Sequence, residues 1–166
     1  MPKLRVLFFL VSIAAGATIV AAPVFAQKQT TDKKAQDMAG IEKFHRQDVA
    51  ATLSRDPVAL TALWTDDGIR LGGGQAEVGK KSIREGNERQ TSDKDFKVLS
   101  YVPETKDLTF LDGGWAVVWR SFTASVVDSP GGEAKQIRGT VLGVLKKLPD
   151  GSWKCFRGMG AMAASQ

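Results

Sequence analysis

Three polar side chains recur at helical spacing where the chain first becomes periodic: His45, Asp48 and Thr52. At ~100° per residue they fall on one stripe, flanked by Phe44 and Val49, where a purely structural helix would carry Leu. If the stripe looks into an apolar cavity, Asp48 can act as a general base near neutral pH. His45 would then tune its charge and orientation, and Thr52 would contact a ligand beside it. On that reading Asp48→Asn leaves the fold nearly intact and removes only the base. The alternative is structural, with His45 in water at the helix edge and Asp48 hydrogen-bonded to a neighbouring element. A second set is Arg120, Arg138 and Arg157, each inside a strand that is otherwise apolar or small. One or two turned inward, Arg138 first among them, would take an anionic ligand group. Otherwise they fringe the open face of a sheet or pair with Asp107 or Glu133. Trp119 shares a strand face with Trp115 and would stack on a flat or apolar ligand if turned inward. Trp64, on the core side of a short helix, would add to the same wall.

Other residue patterns exclude chemistry. Asp66 and Asp67 precede Gly68 directly after a helix, where paired acids organise a turn more readily than they hold a metal. Gly72-Gly73-Gly74 lacks the Lys-Ser/Thr of a phosphate-binding loop, and no helix begins directly after it. One Cys and one His cannot build a zinc site, so no metal and no cofactor are expected. Cys155 shares a strand face with Trp153, Arg157 and Met159 and reads as a buried, inert thiol. The net charge of +5 includes Lys3 and Arg5 of the leader described next, and the remaining lysines are scattered among acids. That pattern argues against a nucleic-acid partner.

Residues 1–26 have the make-up of an export signal. A basic start is followed by the apolar run Val6 to Ala22, and Val24-Phe25-Ala26 puts small residues at the −3 and −1 positions before Gln27. The run is short for a membrane span and is closed by Pro23, so cleavage and a periplasmic or secreted product are expected, without stable membrane insertion. Residues 27–39 are polar and aperiodic and read as a flexible leader, 40–163 as one domain, and 164–166 as a tail. Within the domain a helix is expected from Ile41 to Ser54. Asp56-Pro57 caps a second helix, Val58 to Trp64. Ile69 to Leu71 is a short strand, and a third helix follows from Gly79 to Gln90. Phe96 to Val102 and Thr105 to Leu111 are strands joined at Pro103. Trp115 to Val127, Ala134 to Lys147 and Ser152 to Met162 then form a meander, divided by Gly-rich turns and rich in Val, Trp, Phe and Thr.

This order contains Asp56-Pro57-x-Ala59-Leu60-x-x-Leu63-Trp64-Thr65-Asp66-Asp67, then Gly79-Lys80-x-x-Ile83, then strands ending in Asp150-Gly151-Ser152-Trp153-Lys154. It resembles the SnoaL-like and ketosteroid-isomerase-like proteins of the nuclear transport factor 2-like superfamily. The resemblance implies an α+β cone, with three N-terminal helices packed on a strongly curved, mostly antiparallel sheet around a cavity. It also implies a homodimer through the sheet's outer face, for which Ala116, Val118, Phe122 and Ala124 are the expected apolar residues. The family's known catalytic acids do not carry over. Leu71 and Gly72 stand where the isomerase base would be, and the last three strands contain no Asp or Glu. Two functions remain: an exported protein that binds a small apolar or aromatic molecule, with Asp48 and His45 able to move protons, or a non-catalytic homodimeric module whose cavity is filled by its own side chains.

Overall fold

The computed structural model describes residues 22–72 and 74–163, with side chains from residue 32 onward. Most of the expected export signal and the short tail lie outside the described residues. The chain divides into a segment ending at Ala35 and a compact unit running from Gln36 to Gln166. The first contains the opening turns of helix α1 (Ala22–Ser54), and the second the rest of that helix and every other element. The stretch read as a flexible leader is therefore helical. Its Gln, Lys, Ala and Met residues are good helix formers, and intrinsic propensity needs no apolar period. Asp37 fastens the helix to the domain, its buried carboxylate accepting a 2.6 Å bond from Lys147 Nζ. No described helix is long and apolar enough to cross a membrane.

Helix α2 (Pro57–Ala62) starts as the sequence predicts, with Asp56 Oδ1 accepting from Val58 N at 2.8 Å, but it ends earlier. Trp64 opens strand β1 (Trp64–Gly72), which turns back into the unanticipated strand β2 (Gln75–Val78). Helix α3 (Gly79–Thr91) buries Ile83 completely. Strand β3 (Lys97–Leu111) is continuous through Pro103. It lies at the sheet edge, where a residue without an N–H breaks no ladder on its free side. The meander β4 (Trp115–Val127), β5 (Lys135–Lys147) and β6 (Trp153–Met162) matches the expected spans to within a residue. The turns between its strands rely on Gly131 and Gly151, at φ 72° and 81°.

The fold is α+β, with three helices on a six-stranded sheet in the order β2-β1-β6-β5-β4-β3. All pairings are antiparallel except β1 with β6. The register shifts between Val98 and Ser100, Thr105 and Asp107, and Val144 and Leu145, irregularities of the kind that locally bend a strand. Ile41, Phe44 and Ala51 of α1 pack with Leu63 on Ala116, Val118, Leu145, Trp153 and Cys155. This inner face is the even-numbered side of β4, and Trp119 is on the other.

Candidate functional site

Between the helices and the bent sheet lies a cavity of about 960 Å³. Phe44, Leu60, Leu63, Trp64, Val118 and Leu145 make most of its wall apolar. Along α1 the residues that reach it are Phe44, Asp48 and Thr52, with Arg55 just past its end. Steps of four residues hold one face of a helix, whereas one residue turns ~100° away. His45 is accordingly half-buried beside the Phe44 ring (5.7 Å between centroids) and does not line the cavity.

Asp48 is not alone in the wall. Arg120 of β4 donates from Nη1 to Asp48 Oδ2 at 2.8 Å, the two side chains being 7% and 21% exposed for Arg120 and Asp48 respectively. Removal from water pushes the Asp48 carboxyl above the usual carboxylate range, and the Arg120 charge and hydrogen bond oppose the rise without cancelling it. A carboxylate so placed is a stronger base than one in water. Tyr101 of β3 lines the cavity within electrostatic reach of both. Burial, then the Asp48 charge, raise its phenol well above the normal range, so it remains a neutral hydroxyl at physiological pH. Cys155 also faces the cavity, its thiol pushed up to about 12 by burial first and then by Asp48, which makes it inert as expected.

Of the residues singled out from sequence, the structure brings Asp48, Thr52 and Trp64 together at the cavity. Trp119 and Arg138 do not reach it. Trp119 is 49% exposed, and Arg138, paired across the ladder with Thr123, is also on the solvent side. Both belong to the opposite phase of strands whose inner residues are Ala116, Val118, Arg120, Gly139 and Gly143. With a period of two, one step reverses the face. Arg157 is displaced by the irregularity at Phe156 and gives Nη1 to the carbonyls of Asp67 and Phe156. Asp66 is exposed and pairs with Lys80 at 2.9 Å. Tyr101 is the site residue left out of the sequence-based set, and Arg120, one of its three strand arginines, takes the inward place expected first of Arg138. The available signal was an Arg in phase with Ala116, Val118 and Ala124.

A second polar cluster stands at the cavity mouth. Arg70 of β1 donates to Glu77 of β2 and to Asn87 of α3, both at 2.5 Å, and buried Asn87 donates to Thr61 of α2 at 2.9 Å. Arg55, at φ 52° just past α1, gives its guanidinium to the carbonyls of Gln90, Asp93 and Phe96, closing α1 against α3 and β3. Among the described residues no group of three His, Cys, Asp or Glu could hold a metal ion.

His45 supplies a pH prediction. Burial, then the nearby Arg120 charge, lower its pKa from 6.5 to about 4. Between those values the unfolded chain binds a proton that the folded protein refuses, so stability falls as pH drops from about 6.5 toward 4. Solvent screening of a half-exposed ring reduces this contribution to about 1–2 kcal/mol. Urea denaturation at pH 7 and pH 4.5 should show a loss smaller by that amount in His45→Gln than in the wild type. The raised Asp48 carboxyl acts with the opposite sign, but in both proteins, and cancels. Equal pH sensitivity would refute the assignment.

No protein-family model and no curated protein sequence matches this chain. Solved structures do. A ketosteroid isomerase-like protein from Erwinia carotovora atroseptica is 24% identical, with a TM-score of 0.66 over 76% of this chain and 96% of that one. A proposed scytalone dehydratase from Novosphingobium aromaticivorans is 17% identical, with a TM-score of 0.67 over 81% and 89%. A nuclear transport factor 2-like superfamily protein from Salmonella enterica serovar Typhimurium is 14% identical, with a TM-score of 0.63 over 81% and 95%. At these identities the likeness carries the fold and not the activity. The fold shared with them is an α+β cone of the nuclear transport factor 2-like type, with a cavity under its helices.

Proposed function

We propose that this protein is exported and binds a small, largely apolar molecule in the cone cavity, where Asp48 moves a proton without a cofactor. The observation that carries this reading is the buried Asp48–Arg120 pair set into an otherwise apolar wall. In that surrounding the raised carboxylate takes a proton from a bound molecule, and the Arg120 guanidinium and the neutral Tyr101 hydroxyl stabilise negative charge developing on an oxygen. Isomerisation and dehydration, the chemistries named in two of the fold neighbours, both require such proton movement.

A homodimer is the second part of the proposal, on a different surface from the one the sequence suggested. Ala116 and Val118 are buried against the helices, Ala124 is buried too, and Phe122 lies against Tyr101. Leu142 and Trp119 of the outer face stand in register with Met159 and Leu71, which also border the cavity, and all four are 45–50% exposed. Such a row is costly to leave in water and favours a two-fold partner.

Native mass spectrometry of protein purified from the exported fraction tests all three parts. The expected chain begins at Gln27, the expected assembly has twice its mass, and a bound small molecule is released on denaturation. A full-length membrane-embedded chain would overturn export, and a monomer at micromolar concentration the dimer. A protein that carries no small molecule and is not stabilised by any member of a metabolite library would overturn the binding function.

A further inference from the structure

We infer that the cavity takes an amphipathic carboxylate, with an apolar or aromatic body on the wall and its anionic oxygens on Arg120. The inference rests on the binding function proposed above and concerns the chemical class of the ligand.

Arg120 itself is the first observation. The residue is 6% exposed and lines the cavity, and among the described residues only one of its N–H groups, on Nη1, has an acceptor, Asp48. Nη2 is buried with no hydrogen-bond partner. A guanidinium has five donors in a planar fork, so Arg120 keeps donors that Asp48 does not use. A buried charged donor left unpaired is unfavourable, and an anionic oxygen answers it better than a neutral one.

The charge of the lining is the second, independent observation. Arg55, Arg70, Arg89 and Arg120 face Asp48, Glu77 and Asp93. Each of these carboxylates is engaged: Asp48 by Arg120, Glu77 by Arg70 and Arg89, and Asp93 by the backbone N–H groups of Asp95 and Phe96. Arg55 bonds only to carbonyls, so its charge enters the wall without a countercharge. The mouth therefore attracts anions. The apolar wall limits which anion. A phosphate carries a second charge into a wall that is mostly apolar, while a monocarboxylate brings one and leaves its body to Phe44, Leu63, Trp64 and Val118.

Isothermal titration with matched acid and amide pairs tests the inference: benzoate and benzamide, 1-naphthoate and 1-naphthamide, indole-3-acetate and indole-3-acetamide. In at least one pair the acid should bind about ten-fold more tightly than its amide or better. The double variant Asp48→Asn/Arg120→Gln removes both charges together, leaves no unpaired ion, and should abolish that preference. Arg120→Lys keeps the pair with Asp48 but loses the fork, and should reduce it. The exposed variant Arg138→Gln should retain it. Amides that bind as tightly as acids would overturn the carboxylate class and leave small-molecule binding standing. A preference that survives in both Arg120 variants would overturn the assignment to Arg120. If no member of any pair binds at millimolar concentration, both this inference and the binding function fail for ligands of this size.

Discussion

Arg120→Met should destabilise the protein by about 3–5 kcal/mol, the usual cost of removing one partner from a buried ion pair. In a domain of this size that lowers Tm by roughly 10–20 °C. The variant leaves the Asp48 carboxyl with no opposing charge, so its pKa rises further. A carboxyl raised in the folded state keeps a proton that the unfolded chain has already released. The deficit should therefore be smallest in acid and grow as pH rises through the elevated pKa. Urea denaturation at pH 5 and pH 8 reads both the size and the trend. Combining Arg120→Met with Asp48→Asn should recover most of the loss, since no charge is then left alone. Asp48→Asn by itself is not the silent probe that the helical stripe suggested, because it orphans a guanidinium that cannot deprotonate. A cost below about 1 kcal/mol for Arg120→Met would show that the pair is not buried as described.

Trp153→Ala should cost a similar ~3–5 kcal/mol, through lost packing rather than lost charge. The indole is 3% exposed, meets Phe110 edge-on at 6.2 Å, and lies directly beneath Gly40 of α1. A Cβ at Gly40 would come within 2.7 Å of Trp153 Cδ1, so the absence of a side chain there lets the helix lie on the ring. A coupled outcome follows. Gly40→Ala should destabilise the wild type, because a rigid buried ring cannot yield. In the Trp153→Ala background it should stabilise by up to about 1 kcal/mol, the ordinary advantage of Ala over Gly inside a helix. Chemical denaturation of the four proteins gives the cycle. The same sign for Gly40→Ala in both backgrounds would mean that this contact does not set the helix position.

Much of the architecture is local and could be read without coordinates. Asp56-Pro57 starts α2 because a capping carboxylate and a fixed φ act within three residues. The strands β4, β5 and β6 end where they were expected because Gly-rich turns enforce their boundaries. Asp48 stood out as the polar residue in a helical stripe, and the structure places it on the cavity. Other features depended on interactions far apart in sequence. Strand β2 is four residues long and acquires its partner only by folding back on β1, a pairing its own composition does not announce. Residues 27–39 lack an apolar period and yet continue α1, since helix propensity carries them to the anchor at Asp37.

The site was divided in the same way. Composition and spacing determined the fold class, the boundaries of the meander, the inert character of Cys155 and the candidacy of Asp48, because each depends on residues a few positions apart. Which face of β4 turns inward was decided only in the tertiary structure. Strict alternation leaves two candidate faces in that strand, one carrying Trp115, Val117 and Trp119 and the other Ala116, Val118 and Arg120, and both contain apolar residues. The helices settle the choice: small side chains let α1 approach the sheet, and Asp48 supplies, 72 positions earlier in the chain, the charge that makes an inward Arg120 stable. The large indole of Trp119 is left on the outside for the same reason, since close packing of helix on sheet has no room for it.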